Sequence, residues 1–194
     1  MYGTFLFTAD DTVENVSGLF QFSNGKNKRG VYLGKGSLLQ FDGQSLQGDS
    51  ISIAEVYYET SIPYDHFSAD HILTLKTETG KSFKEEIDFK PVLLATEIAE
   101  EIDRSDLAFS IKGVDEYNKV QLALVDTAFN TNDVHIDNTL QGETLLVAKN
   151  RLKNISNGPL IIYLMIEKRM PLHSGLNDEI IVRYTFRRET ELVD

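Results

Sequence analysis

The feature that most limits what this chain can fold into is Phe83-Lys84-Glu85-Glu86-Ile87-Asp88-Phe89, followed at once by Lys90-Pro91. Phe83, Glu85, Ile87 and Phe89 share one side of the alternation, and Lys84, Glu86 and Asp88 the other. A period of two marks a strand with one wet face. Pro91 has no N–H to give to a ladder and biases Lys90 towards an extended conformation, so the strand stops there. A second apolar run, Val92-Leu93-Leu94, begins immediately. The break predicts two tandem β-domains, residues 1–90 and residues 91–194, each packing its own core.

Length and charge fit that division. The 194 residues suffice for two immunoglobulin-sized sandwiches. Residues 1–90 carry 8 Lys/Arg against 13 Asp/Glu, and residues 91–194 carry 11 against 17, so both halves are acidic. Acidic surfaces repel phosphate, which argues against nucleic acid and against an anionic membrane face as partners. There is no cysteine, which removes disulfides, thiolate zinc sites and cysteine nucleophiles. No run reaches the roughly 18 apolar residues of a membrane span. The start, Met1-Tyr2-Gly3-Thr4-Phe5-Leu6-Phe7, lacks the basic region and long apolar core of a signal peptide.

Taken in order, the alternation predicts strands over 3–8, 16–22 (weakened by Gly18), 31–33, 37–41, 51–59, 72–77 and 82–89 in the first half. Asp42-Gly43 signals a tight turn, and Thr79-Gly80-Lys81 closes a hairpin. Residues 23–30 read as a basic, Gly-bounded loop and Thr60 to Phe67 as a loop carrying aromatics. The second half predicts strands over 92–95, 107–112, 119–126, 133–139, 143–147, 160–166 and 179–187. The stretch 96–104 reads as irregular chain, and 150–155 as a turn or two of helix stopped by Asn157-Gly158-Pro159. Leu160 to Ile166 is apolar on both faces, as a central strand would be. The expected fold is all-β, two tandem immunoglobulin-like β-sandwiches.

Several runs support a resemblance. Gly36-Ser37-Leu38-Leu39-Gln40-Phe41-Asp42-Gly43, Tyr57-Tyr58 and the stretch from His71 to Phe83 lie in the first half. Pro91-Val92-Leu93, Ile102-Asp103-Arg104-Ser105-Asp106-Leu107, Gly113 and Asn157-Gly158-Pro159 continue it in the second. In layout the chain resembles two-sandwich, immunoglobulin-like envelope lipoproteins of Gram-negative gut and oral bacteria. The resemblance covers most of the chain and rests on degenerate motifs. It implies the fold and a location in the periplasm or at the outer-membrane surface, with a lipid anchor outside these residues. It carries over no functional residue, and the absence of cysteine fits a reducing cytoplasm equally well.

Chemistry-bearing groupings are few. Asp133, His135 and Asp137 share one strand face, a set that suits zinc or manganese, but alternation with Val134 and Ile136 produces the same pattern. Asp65-His66 and Asp70-His71 lack the helical spacing of a histidine metal pair. Glu97, Glu100, Glu101, Asp103 and Asp106 lack the alternation and central glycine of a calcium loop. Gly34-Lys35-Gly36-Ser37 has the spacing of neither phosphate motif, and no Gly-x-Ser-x-Gly or His-Glu-x-x-His occurs. Asn15-Val16-Ser17 and Asn154-Ile155-Ser156 match the glycosylation sequon, which in the bacterial chain the resemblance implies is a chance match. The sequence therefore predicts no catalytic residue, metal or cofactor, and a non-enzymatic envelope protein acting as a structural or protein-binding module. The alternative is a carbohydrate-binding protein using Tyr57, Tyr58, Tyr64 and Phe67, since tyrosines on a rigid sandwich can stack on sugar faces or anchor a partner. The partner in either case is a protein or a polysaccharide at the cell surface.

Overall fold

A computed structural model describes residues 2–23, 31–52, 55–114, 119–127, 134–137, 140–173 and 179–194. The first half contributes β1 (Tyr2–Asp10), β2 (Asn15–Ser23), β3 (Leu38–Phe41), β4 (Gln44–Ser45), β5 (Gly48–Ser52), β6 (Glu55–Pro63), β7 (Asp70–Lys76) and β8 (Ser82–Asp88). The second contributes β9 (Leu93–Leu94), β10 (Glu101–Ile102), β11 (Leu107–Lys112), β12 (Lys119–Asp126), β13 (Val134–Asp137), β14 (Leu140–Gln141), β15 (Thr144–Val147), β16 (Gly158–Pro171) and β17 (Glu179–Leu192). Two 3-10 turns, Tyr64–His66 and Lys149–Arg151, are the only helical elements among the described residues. The fold is all-β, as the alternation requires.

The chain forms two compact units. Unit 1 comprises Met1–Ala9, Val13–Lys90 and Arg169–Val182, and unit 2 comprises Asp10–Thr12, Pro91–Lys168 and Arg183–Asp194. One change of unit falls at Lys90/Pro91, where the alternation breaks. The single cut expected there leaves out 10–12 and 169–182, whose membership no local pattern announces. β16 and β17 are each 14 residues long, well beyond an ordinary strand, and carry residues of both units.

Unit 1 packs two antiparallel sheets. One has the order β1-β2-β6-β5 and the other β4-β3-β7-β8. Their inner faces are aromatic. Phe5 and Phe7 of β1, Phe20 and Phe22 of β2, Phe41 of β3, Phe67 and Phe89 are all buried. The rings meet edge to face within a sheet, as Phe5 on Phe20 at 5.4 Å, and at a tilt across the sheets, as Phe7 on Phe41 at 5.8 Å. Gly18 is expected to weaken β2, but the register sets it opposite Phe7 and Thr60. A Cβ there would lie 2.9 Å from Phe7 Cε1 and 2.7 Å from Thr60 Cγ2, so the missing side chain makes room for the Phe7 ring.

Three expectations for unit 1 need correction. The run 51–59 is not one strand, because β5 and β6 pair antiparallel with Ser52 opposite Glu55. Val31 to Leu33 is not a strand, although the Val31 N–H reaches Phe22 O at 2.8 Å. Thr60 to Pro63 is not loop but the end of β6, paired with β2 as far as Asn15 opposite Pro63. Most of the basic 23–30 loop lies outside the described residues.

Unit 2 packs a sheet of order β13-β12-β16-β17, with β10 added parallel to β17, against one of order β14-β15-β11-β9. Its core is mainly aliphatic: Ile111, Val120, Leu122, Leu124, Leu145, Val147, Ile162, Leu164 and Ile166. β16 is central, between β12 and β17, but over Leu160 to Ile166 only one face is fully buried; Tyr163 is exposed on the other. The irregular 96–104 stretch is extended chain holding the two-residue β10, and the helical spacing of Leu94, Ile98 and Ile102 is not used. The expected helix over 150–155 is the 3-10 turn Lys149–Arg151. Arg104 holds this segment by donating to Leu152 O (2.6 Å), Ile155 O (2.9 Å) and the Asn157 side chain.

Candidate functional site

The site grows out of the turn joining β3 to β4. Asp42 has φ 49° and Gly43 φ 79°, the two positive values of the type I′ turn that a two-residue hairpin prefers. An aspartate tolerates the left-handed conformation and keeps its carboxylate for other work. Asp42 Oδ1 accepts the Ile72 N–H at 2.8 Å, and Oδ2 lies 2.6 Å from His71 Nδ1. His71 is only 4% exposed, because alternation along β7 points it inward between Phe41 (ring centroids 5.2 Å apart) and Phe89 (5.4 Å). Its Nε2 faces Phe67 O at 3.4 Å.

A pocket of about 180 Å³ opens beside this pair, lined by Asp42, Gln44, Thr60, Ser61, Pro63, His66 and their neighbours. It is smaller than the roughly 300 Å³ of a drug-sized site and has room for about one sugar ring. The end of β6 supplies Thr60 to Pro63, and the following 3-10 turn supplies His66. Tyr64 N–H donates to Glu14 O at 2.8 Å and Ala69 N–H to His66 O at 3.0 Å, which fixes the turn. Hydroxyls, an amide, an imidazole and a carboxylate therefore converge on one cavity, a donor and acceptor set suited to a hydroxyl-rich ligand. Both ring nitrogens of His71 are engaged, so it has no lone pair directed at a ligand.

The four aromatics singled out in the sequence do not share an exposed face. Tyr58 is 6% exposed, packs on Phe22 and accepts the Leu33 N–H at 2.9 Å. Phe67 is 2% exposed and stacks on Phe89 at 4.4 Å. Both are core residues. Because β6 runs on to Pro63, its inward alternation continues through Val56, Tyr58 and Ile62, and Phe67 turns inward after the 3-10 turn. Tyr57 and Tyr64 are half-buried. Desolvation, then the charges of Asp49 and Glu59, push the Tyr57 phenol above its ordinary value, so it remains a neutral hydroxyl. None of the four is among the residues lining the pocket.

The remaining groupings are dispersed. Asp133 and the side chain of Asp137 lie outside the described residues, while His135 is exposed on β13. His66 lies 3.9 Å from Asp65, whereas His71 pairs with Asp42 and not with Asp70. Among the described residues, no three His, Asp or Glu side chains gather as metal ligands. The Ser105 hydroxyl, and then the Ser105 N–H that Asp103 accepts at 2.9 Å, hold the Asp103 carboxyl below the ordinary value, and Asp106 accepts the Lys149 N–H at 2.7 Å. The acidic stretch is thus partly spent on local structure. Asp42 is the residue that sequence reasoning saw only as a turn former. Its signal was the positive-φ position combined with a buried histidine elsewhere.

No protein-family profile matches the chain, and no curated protein matches it. Among solved structures, SGBP-B of the Bacteroides ovatus mixed-linkage glucan utilization locus, in complex with a mixed-linkage heptasaccharide, is 14% identical, with a TM-score of 0.27. The match covers 92% of this chain and 43% of that one, so the chain spans less than half of that structure. DIP-gamma IG1+IG2 is 10% identical over 100% of this chain and 96% of that one, with a TM-score of 0.26. A 1.5-MDa bacterial ice-binding adhesin is also 10% identical, over 100% of this chain and 65% of that one, at 0.26. TM-scores this low assign neither fold nor function.

Proposed function

We propose that the protein is a non-enzymatic binding module of the cell envelope that takes one saccharide ring in the unit 1 pocket beside Asp42 and His71. The observation that carries this reading is the lining itself. Gln44, Thr60, Ser61 and His66 offer hydrogen bonds at a cavity of about 180 Å³, while both nitrogens of the adjacent His71 are held by Asp42 and Phe67 O. A catalytic histidine needs a nitrogen within reach of the proton it moves, and here the ring serves the scaffold. Loops and strand ends on a rigid sandwich are where recognition is carried. The envelope location rests on the layout-level resemblance, and the absence of enzymatic motifs agrees with a binding role.

A glycan array followed by titration tests the proposal. A hit whose affinity falls about tenfold or more in Ser61→Tyr, which fills the cavity, with an unchanged melting temperature, is the expected result. An array without hits, or a hit unaffected by Ser61→Tyr, overturns it.

A further inference from the structure

We propose that a second site, a groove in unit 2, binds a carboxylate-bearing saccharide. The groove measures about 430 Å³ and is lined by His135, Ile136, Gln141, Leu146, Ala148, Asn150 and Arg151. That volume is within the range of small-ligand sites and suits two or three sugar rings. It is independent of the unit 1 pocket.

Three observations point to this ligand. The first is charge. The chain carries a net charge of −11, yet none of the described residues lining this groove is a carboxylate. Arg151 and His135 lie on it, and Lys149 and Lys153, both exposed, flank the same turn. An acceptor-rich anion therefore finds cationic donors on and beside the groove. The guanidinium is suited to grip a carboxylate with two parallel hydrogen bonds.

The second observation is preorganisation. The basic segment is held from behind, because Asp106 accepts the Lys149 N–H at 2.7 Å and Arg104 donates to Leu152 O and Ile155 O. Arg151 Nη2 donates to His135 O at 2.8 Å, which fixes the guanidinium at the rim with further N–H groups still to give. A rim rigid before binding loses less entropy when a ligand arrives.

The third observation separates a saccharide from a peptide. A peptide would bind a sheet edge by adding a strand to β13. The Arg151 side chain already occupies His135 O on that strand, which blocks the ladder at that point. The apolar part of the lining, Ile136, Ala148 and a Leu146 that is 42% exposed, offers a surface for the C–H face of a sugar ring. Gln141 and Asn150 supply amides for its hydroxyls.

The test is titration with a trigalacturonate and with its neutral galactose counterpart, followed by amide NMR. The expected result is binding of the acidic sugar with a Kd of about 1 mM or tighter, about tenfold weaker binding of the neutral one, and weakening by salt. Shifts should centre on Gln141, Asn150 and Arg151. Arg151→Ala should lower affinity about tenfold, and Arg151→Lys by less, because the charge remains and the fork is lost. Should Arg151→Ala unfold the protein, Leu146→Glu places a repelling charge on the exposed floor and should abolish binding with the melting temperature unchanged. Ser61→Tyr should leave trigalacturonate binding intact. The proposal is overturned by equal affinity for the neutral sugar, by acetate binding as tightly as the trisaccharide, or by an acidic peptide binding where the uronate does not. Shifts confined to residues 41–66, or affinity unchanged in both variants, would also overturn it.

Discussion

The two units use different materials for similar sheets. Unit 1 fills its core with rings, and Phe7 alone lies within ring-contact distance of Phe20, Phe41, Phe67 and Phe89. Unit 2 fills its core mainly with branched aliphatics on β12, β15 and β16. Edge-to-face rings need particular angles, whereas aliphatic side chains chiefly need volume. The ring core leaves slots, and unit 1 uses them. Gly18 gives up its side chain to Phe7, and His71 stands among the rings where an aliphatic core would offer it no stacking partner. The unit with the stricter packing geometry is therefore the one that holds a polar pocket against its core. Unit 2 instead presents its groove on the surface, over an exposed leucine.

The sharpest way to break this contrast is to empty the ring cluster. Phe7→Ala should destabilise unit 1 by about 4 kcal/mol, read from urea unfolding. Phe7→Leu should still cost about 2 kcal/mol, since several ring pairs worth about 0.5–1.5 kcal/mol each are lost. In unit 2, Leu122→Met should cost less than about 1.5 kcal/mol, because volume is nearly kept. If Phe7→Leu costs no more than Leu122→Met, ring geometry is not what distinguishes the cores.

Next in size are the polar clamps. Arg104→Ala leaves two carbonyls and Asn157 without their donor in unit 2 and should cost about 2–3 kcal/mol, with Arg104→Lys recovering less than half. Asp42→Ala removes the acceptor of both the Ile72 N–H and His71 in unit 1 and should cost about as much. Asp42→Asn should cost less, since asparagine keeps the turn and one acceptor. Gly18→Ala comes third, at about 1–2 kcal/mol, from overpacking against Phe7 and Thr60. Thr60→Ser in the same chain should return part of that loss, by removing Cγ2. No rescue would mean that the ring cannot move at all.

Much of this fold was legible because period-two alternation is local. β11 and β12 begin and end where their alternation does, and Asp42-Gly43 announced its turn by composition. What escaped depends on distant partners. Nothing near Tyr58 or Phe67 says that other strands will cover them, so aromatics that read as a binding face became core. Glu85 shows the same limit. The alternation placed it inward among apolar residues, and it is 3% exposed there, accepting the His173 N–H at 3.0 Å from a segment 88 residues away. Thr60 to Phe67 read only as a loop carrying aromatics, and the pocket's chemistry was not legible. Its buried histidine and its turn aspartate are 29 positions apart, and only the β3–β7 pairing brings them together.

The smallest effect contrasts two exposed carboxylates, one in each unit, and their response to salt and acid. Glu86 in unit 1 is held below its ordinary 4.5 by Lys84, first through the hydrogen bond at 2.5 Å and then through its charge. Asp103 in unit 2 is held below 3.8 by the neutral hydroxyl and backbone N–H of Ser105. Both folded values are depressed, so each contribution is present above the unfolded value and is lost as pH falls through the folded one. The window is therefore acidic, and neither group should make stability depend on pH near neutrality. Carboxyl NMR titration should find both midpoints below those ordinary values. About 1 M salt should move the Glu86 midpoint back up, because a Debye length of about 3 Å screens the Lys84 charge. The Asp103 midpoint should hardly move, since its partners carry no charge, while Ser105→Ala should raise it part of the way and leave the backbone donor in place. Equal salt shifts for the two groups would show that the Ser105 bonds do not set the Asp103 value.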